Sequence, residues 1–143
     1  MINELTELAP LIKQVNELLE KRANEVLRDY DVTNGQARIL VALNRSESGV
    51  YSLRDLERAF HYSQPTISGI VSRLTNKGLV TSEPDPMDNR VRLIRLTETG
   101  QKIGKLAGDK LEAADKWLTQ DLSEAESEQL MDLLRRVNEA IEK

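Results

Sequence analysis

The fold of this chain is decided by residues 63–73, which read SQPTISGIVSR. Ser63 is a residue type that caps helix N-termini, and Pro65 falls in the first turn, where its missing N–H costs nothing. Apolar residues then recur at helical spacing, at Ile67, Ile70, Val71 and Leu74. The stretch therefore predicts a helix that starts near Ser63 and buries one apolar face.

The opposite face of this predicted helix is small, polar and free of acidic residues. A solvated helix usually mixes Glu and Lys, whereas small side chains let a helix approach DNA closely in the major groove. Gly69 in mid-helix costs about 1 kcal/mol relative to Ala, and close contact with DNA is one reason to keep it. We predict DNA contacts from the outward-facing residues, namely Ser63, Gln64, Pro65, Thr66, Ser68, Gly69, Ser72 and Arg73.

The flanking segments predict a helix-turn-helix followed by a β-hairpin. Ser52 with Asp55 predicts the start of a short helix, joined to the Ser63 helix by a tight turn at His61. Residues 79–83 and 90–96 are β-prone and lie on either side of a Pro-rich turn cluster at 84–89. Together these elements predict a winged helix-turn-helix.

The predicted hairpin places one arginine beside its turn. Arg90 is positioned to enter a DNA minor groove, where narrow A·T stretches concentrate negative potential. Asp88 can hold the Arg90 guanidinium through a bidentate pair and so supports the wing. The alternative for these two residues is an exposed ion pair that contributes little.

Long amphipathic helices flank this centre, with the first predicted over residues 3–29. Pro10 either kinks that helix or marks a later start. Capping residues at Thr33, Thr97 and Ser123 start three further helices. The predicted fold is mainly α with a small β-hairpin wing, in one domain over 3–141. Its parts are flanking helices at 3–30 and 98–141, and a centre at 33–97 with the helix-turn-helix at about 53–77 and the wing at about 79–97.

Composition excludes several classes of protein. The sequence has no apolar run long enough to span a membrane and no signal-peptide pattern, so we expect a cytoplasmic protein without a membrane partner. Cysteine is absent, which excludes disulfides and thiolate metal sites. The net charge is −4, yet residues 51–97 carry seven basic and five acidic side chains. The predicted DNA contacts thus fall in the basic third of an acidic chain.

No motif in the sequence points to catalysis. A Gly-rich phosphate loop is missing, and His61 is the only histidine, which leaves no nucleophile–His–carboxylate set. We therefore expect no enzyme activity, no cofactor and no metal site. The hypothesis of a small helical enzyme fits the sequence far less well than that of a DNA-binding protein.

Three stretches of the sequence resemble the MarR family of bacterial regulators. Residues 88–100, DNRVRLIRLTETG, are similar to the family's wing pattern D-x-R-x-x-x-(L/I)-x-L-T-x-x-G. Residues 74–80, LTNKGLV, resemble L-x-x-x-G-L-(V/I), and residues 85–88, DPMD, resemble the turn D-P-x-D. The order of helices is similar over nearly the whole chain.

This resemblance implies a sequence-specific transcriptional regulator that binds a palindromic operator as a homodimer. It implies that the first and last two helices are dimerisation helices, which agrees with the apolar stripes of the flanking segments. Residues 63–77 would be the recognition helix and Arg90 the minor-groove residue. A repressor that responds to a small aromatic or anionic effector is the expected behaviour, with no residues assigned to the effector.

The chain departs from the family at two wing positions. Ser82 and Asn89 stand where the family often has basic residues, so the strength of the wing contacts does not follow from the resemblance. The alternative function is a winged-helix protein–protein adaptor that does not bind DNA. Acidic or apolar residues on the outer face of the Ser63 helix would favour that adaptor, and the sequence has neither there.

Overall fold

Helices dominate the computed structural model, which describes residues 6–142. They form α1 (Leu8–Leu27), α2 (Asn34–Arg45), α3 (Leu53–Phe60), α4 (Gln64–Asn76), α5 (Glu98–Leu118) and α6 (Glu124–Ile141). The strands β1 (Val50–Ser52), β2 (Val80–Asp85) and β3 (Asp88–Leu96) form one antiparallel sheet in the order β1-β3-β2. The predicted fold class, mainly α with a small β wing, is confirmed.

Local capping chemistry sets the start of most helices. Capping boxes with both reciprocal hydrogen bonds begin α2 at Thr33, α3 at Ser52 and α6 at Ser123. Ser63 and Thr97 cap α4 and α5 through their hydroxyl oxygens, which accept hydrogen bonds from main-chain N–H groups. Because a cap satisfies backbone donors that the helix cannot, these starts are specified by residues close in sequence.

The first helix is shorter than the predicted 3–29. Within the described residues it begins at Leu8 and places Pro10 in its first turn, where proline is tolerated. It ends at Leu27, and a 3-10 turn follows at Arg28–Tyr30. The part of the prediction that falls on residues 3–5 lies outside the described residues.

The sheet differs from the predicted hairpin in two ways. A third strand, β1, pairs with β3 through Val50 opposite Arg95 and Ser52 opposite Leu93. The turn cluster predicted at 84–89 is only Pro86 and Met87, because β2 continues to Asp85 across an irregularity in the strand register. Pro84 has no N–H to donate, but β2 is an edge strand with no neighbouring strand on its outer side. Proline is therefore tolerated in this strand.

One hydrophobic core joins the helices to the sheet. Its largest fully buried side chains come from α1, α2, α3, α4, β2 and β3, namely Leu27, Ile39, Leu40, Leu43, Leu56, Ile67, Leu74, Val80 and Ile94. The C-terminal end of α4 is tied to α2 because Lys77 donates from Nζ to Oε1 of Gln36 (3.1 Å). The core and this bond together fix the orientation of α4.

The junction between the wing and α5 is closely packed. The Thr97 hydroxyl donates to the carbonyl of Gly78 (2.7 Å), and the Thr97 N–H donates to the carbonyl of Leu79 (3.1 Å). Gly100 lies against the same carbonyl, and a Cβ built at Gly100 would lie 1.9 Å from the Leu79 oxygen. The glycine of the wing pattern is therefore required by contact between two stretches of backbone.

Apolar side chains remain exposed along both terminal helices. None of the residues of α6 is buried, and its exposed large apolar residues are Leu130, Met131, Leu133, Leu134, Val137 and Ile141. α1 exposes Leu8, Ile12, Val15 and Leu18. Among residues 6–142, no helix is long and apolar enough to cross a membrane.

Candidate nucleic-acid interface

The outer face of α4 is open to solvent along most of its length. Gln64, Pro65, Thr66, Ser72 and Arg73 are exposed, as is the capping residue Ser63, while Ser68 and Gly69 are half-buried. The apolar side of the helix points the other way, with Ile67, Val71 and Leu74 in the core. The structure thus brings the eight predicted residues of this helix onto one accessible surface.

Two hydroxyl groups at the start of α4 are already engaged. The Ser63 Oγ accepts a hydrogen bond from the Thr66 N–H (3.3 Å) and lies 2.9 Å from the Thr66 Oγ1. One of the two hydroxyl protons is therefore used within the pair. The other proton and the remaining oxygen lone pairs can still serve a phosphate or a base edge.

Among residues 6–142, no neighbouring atom packs closely enough against Gly69 to require a glycine there. A Cβ built there would meet only the Nη1 atom of Arg73, at 3.8 Å, which is no closer than ordinary van der Waals contact. An alanine would fit and would favour the helix by about 1 kcal/mol. The absence of a side chain at Gly69 instead leaves open space beside the Arg73 guanidinium on the outer surface of α4.

On the wing, Arg90 forms a bidentate pair with Asp88. Its Nε donates to Oδ1 (3.0 Å), and its Nη2 donates to Oδ2 (3.2 Å). Hydrogen bonds from Arg90 lower the pKa of Asp88, with the larger effect from the guanidinium and the smaller from the main-chain N–H. The carboxylate therefore stays charged at pH values where an ordinary aspartate begins to protonate. The Arg90 side chain is 91 % exposed, so the pair orients the guanidinium without covering it.

Two arginines that were not predicted lie in the same region. A depression of 520 Å³ between α3, α4 and the wing is lined by three arginines and two acidic residues, together with Gln64, namely Arg54, Arg90, Arg92, Glu57 and Asp88. The sequence does carry a signal for Arg92, because it alternates with Arg90 and the buried Ile94 on one face of β3. The surface between α4 and the wing is therefore richer in arginine than predicted.

The turn between α3 and α4 is held by a histidine with left-handed backbone. His61 has φ 54° and ends α3, and histidine is one of the residue types enriched in this conformation. Its Nε2 lies 2.9 Å from Oε1 of Glu142, just beyond the end of α6. Within residues 6–142, no group of three or more His, Cys, Asp or Glu side chains is placed to hold a metal ion.

Sequence comparison connects the chain to known regulators. Residues 30–90 match the sequence model of the MarR family. The chain is 31 % identical over 110 residues to the transcriptional regulator HosA of Escherichia coli O111:H-, covering 77 % of this chain and 80 % of HosA. It is 29 % identical over 141 residues to the multiple antibiotic resistance protein MarR of E. coli K12, covering 96 % and 94 % of the two chains.

Comparison of structures again finds MarR of E. coli, and it also finds MepR of S. aureus. A mutant MarR from E. coli complexed with operator DNA superposes with a TM-score of 0.84 at 27 % identity, covering 94 % of this chain and 96 % of that one. The MepR–DNA complex of S. aureus superposes with a TM-score of 0.87 at 25 % identity, covering 94 % and 98 %. The sequence and the fold of this chain both match these relatives over nearly its whole length. The chain therefore belongs to the MarR family of winged-helix transcriptional regulators.

Proposed function

We propose that this protein is a homodimeric transcriptional repressor that reads a palindromic operator with α4 in the major groove and Arg90 in the adjacent minor groove. It would act in the cytoplasm, associated with the nucleoid through its operator. The contacts we assign to base edges and phosphates are those of Ser63, Gln64, Pro65, Thr66, Ser68, Gly69, Ser72, Arg73 and Arg90, with Asp88 as the support of Arg90.

The observation that carries this proposal is the accessible, acid-free surface of α4. A helix that faced only water would have no reason to keep Gly69, because an alanine fits there and stabilises a helix. A helix that enters a groove does have one, since each methyl group on its outer face increases the distance to the DNA. Gln64 can pair with adenine, and Arg73 with guanine or a phosphate.

The arrangement of the helices in this chain also supports the proposed DNA binding. The mutant MarR of E. coli superposes with a TM-score of 0.84 when its structure contains operator DNA and 0.73 when it does not. Both comparisons have 27 % identity and cover 94 % of this chain. The arrangement of helices described here is therefore closer to the operator-bound form of that relative.

The exposed apolar stripes of α1 and α6 support the dimer. Leu130, Leu133 and Leu134 are each between 40 % and 48 % exposed in the single chain. Monomeric proteins rarely leave contiguous apolar surface of this kind uncovered. A second copy, related by a twofold axis, covers the same stripe on both chains at once.

A twofold dimer determines the form of the operator. Two α4 helices in successive major grooves require half-sites about 10 base pairs apart, inverted relative to one another. A dimer seated there excludes other proteins from the same grooves, and for that reason we propose repression. The small aromatic or anionic effector stays a prediction with no residues assigned.

The Gly69→Ala variant tests the DNA contact of α4 separately from the stability of the fold. We expect the variant to gain up to about 1 kcal/mol in free energy of unfolding. Its affinity for duplex DNA should fall roughly tenfold or more, because two added methyl groups in a closely packed interface cost about 1–3 kcal/mol. Urea denaturation and fluorescence anisotropy with duplex DNA measure the two effects.

The matched control for this experiment is Gly35→Ala, at the start of α2. A Cβ at Gly35 meets only the Cδ1 of Ile70, at 3.5 Å, so this helix also accepts an alanine. The control should keep the wild-type affinity for DNA. If Gly69→Ala binds DNA as tightly as wild type, or if both variants lose affinity equally, then α4 does not face DNA as we propose.

A further inference from the structure

Arg92 lies on the side of β3 that faces the helices. Side chains alternate along a strand, so Arg90 and Arg92 share a face with Ile94, which is fully buried, and with Leu96. Arg95 belongs to the opposite face. Arg92 is thus the exposed residue next to the buried Ile94 on this face of β3, and it lines a cleft against α4.

The guanidinium of Arg92 is held in place by Ser82 on the neighbouring strand. Its Nη2 donates to the Ser82 carbonyl (2.7 Å) and to the Ser82 Oγ (3.1 Å), and its Nε donates to the same Oγ (3.2 Å). These bonds fix the fork of the arginine across the two strands. Ser82 therefore positions a cationic group that it does not itself carry.

Arg92 differs from the other two arginines of the wing in its charge balance. Arg90 pairs with Asp88, and Arg95 lies 3.7 Å from Oε1 of Glu83. For Arg92, no carboxylate within residues 6–142 lies at ion-pair distance. The positive charge of Arg92 is therefore fixed in position and forms no ion pair among these residues.

The surface next to Arg92 suits an anion with several oxygen atoms. A cleft of 330 Å³ separates α4 from the wing, and its polar lining consists of Ser68, Ser72, Thr75, Asn76, Ser82 and Arg92. None of its lining residues is acidic. The Thr75 hydroxyl already donates to the Val71 carbonyl (2.8 Å), which leaves the other side chains as the candidate donors.

The position of this cleft indicates which anion it receives. The major groove and the neighbouring minor groove of a duplex are separated by one sugar–phosphate backbone. If α4 occupies the first groove and Arg90 the second, that backbone must cross the surface between them. We infer that Arg92, fixed by Ser82, binds a phosphodiester of this strand, an inference that rests on the proposed function.

The salt dependence of DNA binding tests this inference. A labelled mixed-sequence duplex of about three helical turns serves as probe, for wild type, Arg92→Gln and Arg95→Gln. Each lost phosphate contact lowers the slope of log affinity against log salt by about 0.9, so two copies per dimer predict a decrease of about 2 for Arg92→Gln. At fixed low salt its affinity should fall roughly tenfold or more.

Arg95→Gln is the matched control, because it removes the same charge from the other face of the same strand. It should keep the wild-type slope, and Arg92→Lys should keep most of the slope because its charge remains. An unchanged slope in Arg92→Gln, or equal effects of Arg92→Gln and Arg95→Gln, would overturn the inference. Wild-type protein that binds no duplex even at low salt would instead refute the proposed function itself.

Discussion

Leu134→Glu is expected to convert the proposed dimer to a monomer and to abolish measurable binding to the proposed operator. Leu134 is 48 % exposed in the single chain and lies in the middle of the apolar stripe of α6. In a twofold dimer the substitution occurs twice. Each copy loses the burial of a leucine, worth about 1.5–3 kcal/mol, and places an unpaired carboxylate in the interface, which costs more.

Light scattering on protein eluted from a size-exclusion column measures the mass of the particle directly. Wild type should have twice the chain mass at micromolar concentration, and the variant should have the chain mass of 16.2 kDa. Arg136→Gln changes the net charge by the same amount and lies about 200° around α6 from Leu134, so it should remain dimeric. A monomeric wild type, or a dimeric Leu134→Glu with undiminished DNA binding, would refute the dimer that we propose.

Gly100→Ala is expected to destabilise the fold by about 3 kcal/mol or more. The added Cβ would lie 1.9 Å from the oxygen and 2.9 Å from the carbon of the Leu79 carbonyl. Both atoms belong to the backbone between α4 and β2, which cannot move aside as a flexible side chain does. Relief of the contact must displace the wing from α5, and with it the hydrogen bonds from Thr97.

Urea denaturation at one fixed protein concentration compares the variants, because the apparent stability of a dimer depends on concentration. Gly35→Ala serves again as the control, since its added Cβ has room and should not destabilise the protein. A Gly100→Ala protein as stable as wild type would show that the junction between the wing and α5 is not packed as described.

The helices were predictable from sequence because their signals are local. Thr33, Ser52 and Ser123 each begin a helix through a residue three positions later, and the apolar spacing behind each cap gives the buried face. The recognition of the MarR family also rested on contiguous motifs. The structure adds a physical reason for one of them, since Gly100 is fixed by its contact with Leu79.

The missed features depend on partners distant in sequence. β1 is only three residues long, too short to show alternation, and it exists because β3 offers it an edge. Pro84 indicates a turn by composition, but as part of an edge strand it can stay in the sheet. Neither outcome can be read from the residues adjacent to these segments.

The residues of the candidate site also differ in whether local sequence patterns predict them. The outer face of α4 follows from helical periodicity, so its residues could be named from the sequence alone. Strand alternation places Arg92 on the same face as Arg90, but only the structure shows its hydrogen bond to Ser82, ten residues earlier, and its place in the cleft against α4. The chain has no basic residue at Ser82, but the Arg92 guanidinium lies against that serine and provides a positive charge at the same place on the wing.

A dimer that reads duplex DNA through α4 and the wing, as we propose, selects its binding sites by sequence. Sequencing the genomic fragments that the purified wild-type protein retains tests this selection. We predict enrichment of one inverted repeat with half-site centres about 10 base pairs apart, and loss of that enrichment in Arg90→Ala with unchanged helical content. If the protein retains no duplex DNA, or retains fragments that share no inverted repeat, then it does not read DNA as a twofold dimer.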